Sequence, residues 1–408
     1  LINTTSNAEI VVKNAARLTT TGDLTLHADS STTTSATSNA VGTATAASAD
    51  AAVATSIVDA SAKVNVTGTA ILNVGGTLDL SANNVRTVTT VADGTAGGAT
   101  AAGGSVAVST VTGDTQAWID GGVSVTAGSV KVAASKVDNI TTSAKSSAGG
   151  ASSGGGTTKT ETTLSDNKAE TSSGSITVAG AVAVSNLTSD SLAYINTTGA
   201  VSSAGLLSIQ ALNNSDASSA ADGSSIGSGA AGVGVAVAIT HARAHNDAYL
   251  GGAGAGLVTA GSVNIEAKMA AETVVPAASP LQGFSAQATA GAGGGVAVAG
   301  SLALNVVDTT STAVIRSGSV LNLTGGGAVV LTAEDNTSST AQAQPAGIGA
   351  VSAGSVGVGA SVALNISNHK TLAELADSAG ISNAGNLSLT ANSDNTAVTS
   401  AKAGGTAG

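Results

Sequence analysis

The sequence predicts an all-β fold, an elongated β-solenoid built from about seven units of roughly 55 residues. Two observations carry this prediction. A heptapeptide that alternates aliphatic and mostly polar residues occurs seven times at a nearly regular spacing, which is typical of repeat proteins. Only four of the 408 residues are aromatic, and a thin, layered interior does not need aromatic side chains to fill it.

The heptapeptide is Gly-x-Φ-x-Φ-x-Ala, where Φ is Val, Leu or Ile. All fourteen Φ positions are aliphatic, and twelve of the fourteen positions that directly follow them are polar or charged. Such alternation places one face of a β-strand in the core and the other in water, and no helix reproduces it. We therefore expect every Φ side chain to point inward. The copies begin at Gly22, Gly76, Gly128, Gly205, Gly261, Gly327 and Gly385.

We expect residues 1–408 to form one continuous repeat array, because the composition never changes in a way that marks a domain boundary. Successive heptapeptides begin 54, 52, 77, 56, 66 and 58 residues apart. The two longest spacings predict insertions. One is a low-complexity Ser-, Gly- and Thr-rich segment at 141–175, and the other lies at 275–295, where Pro276 and Pro280 exclude a regular interior strand.

An Ala-x-Φ anchor precedes each heptapeptide. Its middle position holds Trp118, Tyr194 and Tyr249 in three units and Glu9, Lys63, Val314 and Glu374 in the others. A position that accepts Glu and Lys faces water, so the three aromatic side chains should lie outside. Exposed aromatic rings stack against sugars or anchor protein contacts, which makes this strip a candidate partner site. The alternative is that the rings cover the backbone of a neighbouring unit.

A third element, Φ-Ala-Φ, lies between units and is apolar on both faces. We expect its Val and Leu side chains to point into the core, and its central alanines to be buried under a second layer. That layer is either a hairpin of the same chain or a neighbouring copy. The five alanines are Ala107, Ala183, Ala236, Ala303 and Ala363. Asparagine pairs such as Asn83–Asn84 and Asn213–Asn214 are expected at the corners of the solenoid.

The segment 379–391, Ala-Gly-Ile-Ser-Asn-Ala-Gly-Asn-Leu-Ser-Leu-Thr-Ala, resembles the repeats of filamentous-haemagglutinin-type exoproteins and other giant repetitive bacterial surface adhesins, and the pattern recurs at 18–28 and 72–82. The resemblance implies a right-handed parallel β-helix, secreted and held at or released from the bacterial surface. The repeats of that family are nearer a single rung. The longer unit here predicts two or three rungs per unit, or an added hairpin, and a rod roughly 70–100 Å long.

Charge and composition narrow the range of partners. The net charge is −11, from 14 basic and 25 acidic residues without a basic stripe, so we expect no nucleic-acid partner. The absence of cysteine is compatible with a secreted protein that needs no disulfides. No apolar run approaches the ~20 residues that span a bilayer. Leu1 stands where a start Met would be, so targeting signals and an anchor are expected outside this segment.

We expect no catalytic residue, metal site or cofactor. The segment 227–232 fits the dinucleotide fingerprint GxGxxG, but strand-like sequence follows it where a helix is required. His241 and His245 would lie roughly 13 Å apart on one strand, too far to share a metal ion. Acidic residues are scattered singly, whereas the lyases and hydrolases that use parallel β-helices need carboxylates clustered on adjacent rungs.

The sequence therefore predicts a repeat segment of a large secreted bacterial adhesin, extracellular or on the cell surface, that acts as a rigid rod for attachment or presentation. Its partner would be a glycan or protein of a host or neighbouring cell. The rival prediction is a structural protein that associates with copies of itself in a filament, sheath or matrix. What the Φ-Ala-Φ strands contact distinguishes the two.

Overall fold

The chain folds into one continuous parallel β-structure. The computed structural model describes residues 1–44, 46–97, 100–148, 176–225, 230–252, 254–269, 281–346, 351–404 and 406–407, and these contain nineteen strands and no helix. The strands are β1 (Ile2–Val12), β2 (Arg17–Thr20), β3 (Leu24–Thr43), β4 (Ala47–Val66), β5 (Ile71–Gly97), β6 (Thr100–Thr112), β7 (Asp114–Gly121), β8 (Ser124–Ala148), β9 (Ile176–Thr197), β10 (Val201–Ser225), β11 (Ala231–Leu250), β12 (Leu257–Lys268), β13 (Gln282–Ile315), β14 (Val320–Leu323), β15 (Ala328–Pro345), β16 (Val351–Leu375), β17 (Gly380–Ser382), β18 (Asn386–Ala401) and β19 (Thr406–Ala407). Neighbouring strands pair in parallel, which confirms the all-β solenoid.

Each repeat unit forms one complete coil. β1 lies on β4 with Ile2 beside Ser56, and β3 lies on β5 with Leu24 beside Leu78. The prediction of two or three rungs per unit is therefore wrong, because single strands as long as the 27 residues of β5 consume the length of the unit. Seven coils at the ordinary strand spacing give a stack roughly 30 Å high, not 70–100 Å.

The coil has two long sides and one short side. The first sheet contains β1, β4, β6, β7, β9, β11, the second half of β13, and β16. The second sheet contains β3, most of β5, β8, β10, β12, the first half of β13, β15 and β18. Short segments that include β2, β14 and β17 close one end. The cross-section is consequently a wedge, wide at the short side and narrow where the two sheets meet.

Large aliphatic side chains fill the wide end. The ten Φ residues of the five inner heptapeptides are at most 1% exposed, as expected. In the last coil Leu387 and Leu389 keep the same column, beside Val329 and Leu331, but they are 49% and 42% exposed. The difference arises because each interior side chain is covered from the coils above and below, and no further described coil lies on this one.

Alanine fills the narrow end. Ala107, Ala183, Ala236 and Ala303 are fully buried, and Ala363 of the last coil is partly buried against the same cluster. The burial of these alanines was expected, but the orientation of their neighbours was not. The flanking Val and Leu side chains point outward, and the alanines of the two sheets face one another. No hairpin or second copy is needed to bury them.

The physical reason is the small gap between the sheets. A Cβ added to Gly223 of the second sheet would lie 1.7 Å from the backbone oxygen of Val235 in the first sheet. Backbones this close leave room for a methyl group nearby and for nothing larger. The small residues therefore turn inward, and the bulky aliphatic residues of the same strands are left outside.

The two expected insertions are mainly outside the described residues, and their described parts are strand. Residues 141–148 belong to β8. Residues 282–295 belong to β13, where Phe284 pairs with Ala217 and completes the second sheet of the fifth coil. The described part of the second expected insertion, 282–295, is therefore regular strand, and both prolines precede it. Residues 149–175 and 270–280 lie outside the described part of the chain.

Candidate functional site

Three aromatic side chains form a stacked ladder on the outside of the first sheet. Trp118 pairs with Tyr194, and Tyr194 pairs with Tyr249, so they occupy one column as expected. The ring centroids of Trp118 and Tyr194 are 6.2 Å apart, and those of Tyr194 and Tyr249 are 4.6 Å apart, with ring planes within about 10° of parallel. The guanidinium carbon of Arg316 lies 3.2 Å from the centroid of Tyr249.

This stacking uses the ring faces. Both faces of Tyr194 are covered by aromatic neighbours, and Tyr249 lies between Tyr194 and Arg316. A sugar that stacks on an aromatic ring needs an open face. Tyr194 and Tyr249 thus offer only their ring edges, and this geometry favours the alternative in which the rings cover the neighbouring coils.

The prediction that Lys63 and Glu9 lie in the same column as Trp118 is wrong. Lys63 pairs with Gln116, whereas Trp118 pairs with Asn65, because β4 and β7 align two residues away from the alignment of the anchors. Above the aromatic residues the column continues through Val314 and Glu374, as expected.

The ladder is anchored by polar contacts at its edge. The Tyr194 hydroxyl donates a hydrogen bond of 3.3 Å to the Asp120 carboxylate. Burial, the neighbouring Tyr249 and the Asp120 charge together raise the pKa of Tyr194 far above its ordinary value. Burial also raises the pKa of Tyr249, against the opposing effect of Arg316. Both phenols therefore stay protonated across the physiological range.

A charged cluster lies inside the solenoid, which the sequence did not indicate. Arg86 and Asp138 are adjacent on β5 and β8 and form a two-pronged ion pair, with nitrogen–oxygen distances of 2.5 and 2.7 Å. Arg86 also donates a hydrogen bond of 2.6 Å to the Thr112 carbonyl. Lys136 donates to the Gly113 carbonyl, where positive φ bends the chain between β6 and β7. Arg86, Lys136 and Asp138 are at most 1% exposed.

Their protonation follows from burial and pairing. Burial alone would raise the pKa of Asp138, but the charge and hydrogen bonds of Arg86 outweigh it and hold this pKa below its usual range. Burial and then the like charge of Arg86 lower the pKa of Lys136 to about 7, although Asp138, Asp190 and Asp114 oppose the shift. Since these groups are sealed from solvent and bond to one another or to backbone carbonyls, the cluster joins coils and offers no surface to a substrate.

The asparagine pairs are also placed differently from the prediction. Asn84 and Asn213 lie within strands and are fully buried, not at corners. The Asn84 amide donates a 2.6 Å hydrogen bond to the Ala60 carbonyl of the opposite sheet. The Asn213 amide donates a 3.0 Å bond to the Ser189 carbonyl. Asparagine here links the two sheets across the interior, because Ala60 and Ser189 lie where the register of the first sheet is interrupted between β6 and β7, and their buried carbonyls need a donor.

Hydroxyl groups continue this linkage nearer the narrow end. A zigzag chain of hydrogen bonds of 2.6–2.8 Å crosses between the sheets as it climbs from coil to coil, through Ser56, Thr90, Ser109, Thr142 and Ser185. Each hydroxyl can donate one bond and accept others, so a column of hydroxyls satisfies itself without water. From the wide end to the narrow end, the interior thus passes from aliphatic to polar side chains and then to alanine.

The histidine segment of β11 holds no metal cluster. The Nδ1 atom of His241 lies 2.9 Å from the Asn186 side-chain oxygen, and the Arg243 guanidinium lies 3.0 Å from His245. In the described part of the chain, no three His, Cys, Asp or Glu side chains are grouped closely enough to bind a metal ion. Of the GxGxxG segment, residues 227–229 are outside the described ranges.

The most unusual surface is the outer side of the first sheet at the narrow end. Five adjacent outward columns cross six coils there, and they pass through Ile176, Val178, Gly180, Val182 and Val184 of β9. Of these thirty positions, nineteen are Val, Ile or Leu, nine are Ala or Gly, and two are Thr. None is charged. We call these thirty positions the aliphatic face.

The outer side of the second sheet is polar by contrast. Along β15 its outward residues are Glu334, Asn336, Ser338, Thr340 and Gln342. The two outer surfaces of one wedge thus differ in chemistry, although both cover the same alanine interior.

Comparisons with known proteins identify no relative. A scan of protein-family models, a search of curated proteins and a search of solved structures each find no match to this chain. Among the described residues no helix is long and apolar enough to cross a membrane.

Proposed function

We propose that this chain is a non-enzymatic repeat segment of a large secreted bacterial surface adhesin, in which it acts as a rigid support for attachment or presentation. The observation that carries the proposal is the unbroken stacking of seven coils. Strands of each coil pair in parallel with the next, from Ile2 beside Ser56 to Ala343 beside Ala401. A stack of this kind is stabilised between neighbours along its whole length and resists bending.

Cross-links inside the stack support a mechanical role. The Arg86–Asp138 pair joins the second coil to the third, and the Asn305 amide donates a 2.9 Å hydrogen bond to the Ser339 hydroxyl between the two sheets. Breaking one such bond leaves a buried polar group without a partner, which costs ~1–3 kcal/mol. The structure is therefore stiff across the wedge as well as along the stack.

The surface supports a role without catalysis. One shallow polar depression is lined by Glu9, Asp59, Lys63 and Asp114, and the Lys63 ammonium is already paired with Asp114 at 3.2 Å. An active site needs titratable groups that are both free and convergent. Partners of an extended support would be glycans or proteins of a host or neighbouring cell, bound through its outer surfaces.

A pulling experiment on single molecules tests the support. Unfolding one coil of about 54 residues should release roughly 190 Å of extended chain, at ~3.6 Å per residue. We expect repeated steps of this length, or multiples of it, because coils are held by their neighbours. A smooth extension without steps at low force would contradict a mechanical role.

Labelling intact native cells with an antibody against the segment tests the location, and binding only after permeabilisation would contradict an extracellular protein.

A further inference from the structure

The aliphatic face is large enough to be an interface. Five columns spaced by two residues and six coils spaced by one strand cover about 900 Å² of footprint. Exposure is high at its margins, at 60% for Val53 and 57% for Val362. The largest apolar patch on an ordinary monomer covers ~300–600 Å², whereas a standard protein interface buries ~800 Å² on each partner.

The face also has a self-complementary relief. The column through Gly180 contains Ala51, Gly104, Gly300 and Ala360, with Val235 as its one large residue. A Cβ built on Gly180 or Gly300 would have no atom within 4 Å, so this column is shallow on either side of Val235, and we call it the furrow. From β9 to β16, columns of larger aliphatic residues flank it on both sides and form two ridges. Two such surfaces interlock when a ridge of one lies in the furrow of the other.

We propose that two copies of this chain associate face to face through the aliphatic face. The area matches what a stable dimer needs. The chain carries a net charge of −11, and like charges on two copies repel each other. The face has no charged position, so two copies can approach there without bringing negative charges together. On the side of the wide end, an outward column that contains Asp59, Arg243 and Asp308 supplies a polar rim of the kind that borders the apolar centre of an interface.

The longest segment outside the described ranges fits the face poorly. Residues 149–175 contain a single aliphatic residue larger than alanine, Leu164, and are otherwise Ser, Thr, Gly, Ala and charged or amide residues. They cannot supply an apolar surface that matches nineteen Val, Ile and Leu side chains. The opposite outer surface of the wedge is polar and cannot pair in the same way. The association therefore closes as a symmetric dimer and does not continue into a fibre.

The furrow provides a substitution that spares the fold. Gly180→Glu and Gly300→Glu place a carboxylate on the face, and neither glycine has positive φ or a neighbour within reach of the new Cβ. Ser338→Glu on the polar outer surface is the matched control. We expect the unaltered chain and the control to sediment as dimers at micromolar concentration. The doubly substituted chain should be a monomer with unchanged circular dichroism, its dimer weakened about 100-fold or more, because a carboxylate would be buried without a partner.

A second measurement uses the absence of cysteine. With Gly300→Cys as the only thiol, maleimide labelling should slow as the protein is concentrated, whereas a Ser338→Cys thiol should react at a constant rate. A folded, unaltered chain that sediments as a monomer overturns the proposal. So does a dimer that survives the two glutamates, or growth into open-ended fibres. These results are independent of the pulling experiment and the cell labelling, so failure of the dimer and failure of the proposed function can be told apart.

Discussion

The wide and narrow ends of the wedge use the same alternating pattern in opposite senses. At the wide end the Φ positions of the heptapeptide, such as Val329 and Leu331, point inward and their neighbours face water. At the narrow end Ala303 points inward, and Leu302 and Leu304 lie outside. Alternation shows which residues share a face of a strand. The distance to the opposite sheet decides which of the two faces is the interior.

The spacing of the sheets explains the reversal. Three sides enclose the wide end, and the space between them holds Leu and Ile. At the narrow end the sheets approach until a Cβ on Gly234 would lie 2.5 Å from the Gly223 backbone oxygen. Only Ala and Gly fit there. The β-branched residues remain in these strands because they favour the extended backbone, even with one face in water.

A charge at the wide end should have the largest effect. Leu331→Asp places a carboxylate among fully buried aliphatic side chains, and we expect a loss of more than ~4 kcal/mol and unfolding of at least its own coil. Val330→Asp, one residue away on the outer surface, is the control and should be nearly neutral. Limited proteolysis and urea unfolding measure both. Equal stability of the two variants would show that the register of this strand is wrong.

Removing one half of the buried ion pair should have the next largest effect. Arg86→Met leaves Asp138 charged and unpaired between the wide and middle parts of the interior, at a cost of ~3–5 kcal/mol. The double variant Arg86→Met, Asp138→Leu removes both charges and should recover most of the loss in urea unfolding. If the double variant is as unstable as the single one, the cost of an unpaired Asp138 does not explain the loss. The ion pair would then stabilise the fold by itself.

Enlarging a side chain at the narrow end tests the width of the gap directly. Ala303→Leu should destabilise by ~1–3 kcal/mol, because the opposing sheet leaves no space for three more carbon atoms. Leu302→Ala removes the same atoms from the outer surface and should change the stability of the monomer by less than ~0.5 kcal/mol. Thermal unfolding of the two variants at matched concentration gives the comparison. A neutral Ala303→Leu would mean that the sheets are farther apart than this structure has them.

The sequence sufficed for the strands, the parallel stack and the column of three aromatic rings, because each follows from a local pattern repeated at a fixed spacing. It did not predict that one unit makes one coil. The repeat gives the length of the unit, but how far each strand extends before the chain turns depends on the packing of the two sheets. The sequence predicted that Ala303 is buried, but under a second layer on the outer side of the strand, whereas Ala303 points into the interior and Leu302 lies outside. The pairing of Arg86 with Asp138 could not be predicted, because the two residues lie 52 positions apart and neither shows a local signal.

The smallest expected effect is a pH dependence that comes from Lys136. Because burial lowers its folded pKa to about 7 from an ordinary value near 10.5, the unfolded chain binds more protons than the folded chain between these values. Stability should therefore rise with pH through 7, by about 1.4 kcal/mol between pH 6 and pH 8. Lys136→Met removes this term, while Asp222, whose pKa burial raises to about 6, is the same in both proteins. Urea unfolding of both proteins at several pH values isolates the difference. The free energy of unfolding of the unaltered chain should rise with pH relative to that of Lys136→Met. Parallel curves would mean that Lys136 keeps its proton in the folded state, so that the polar layer holds a permanent positive charge beside Arg86.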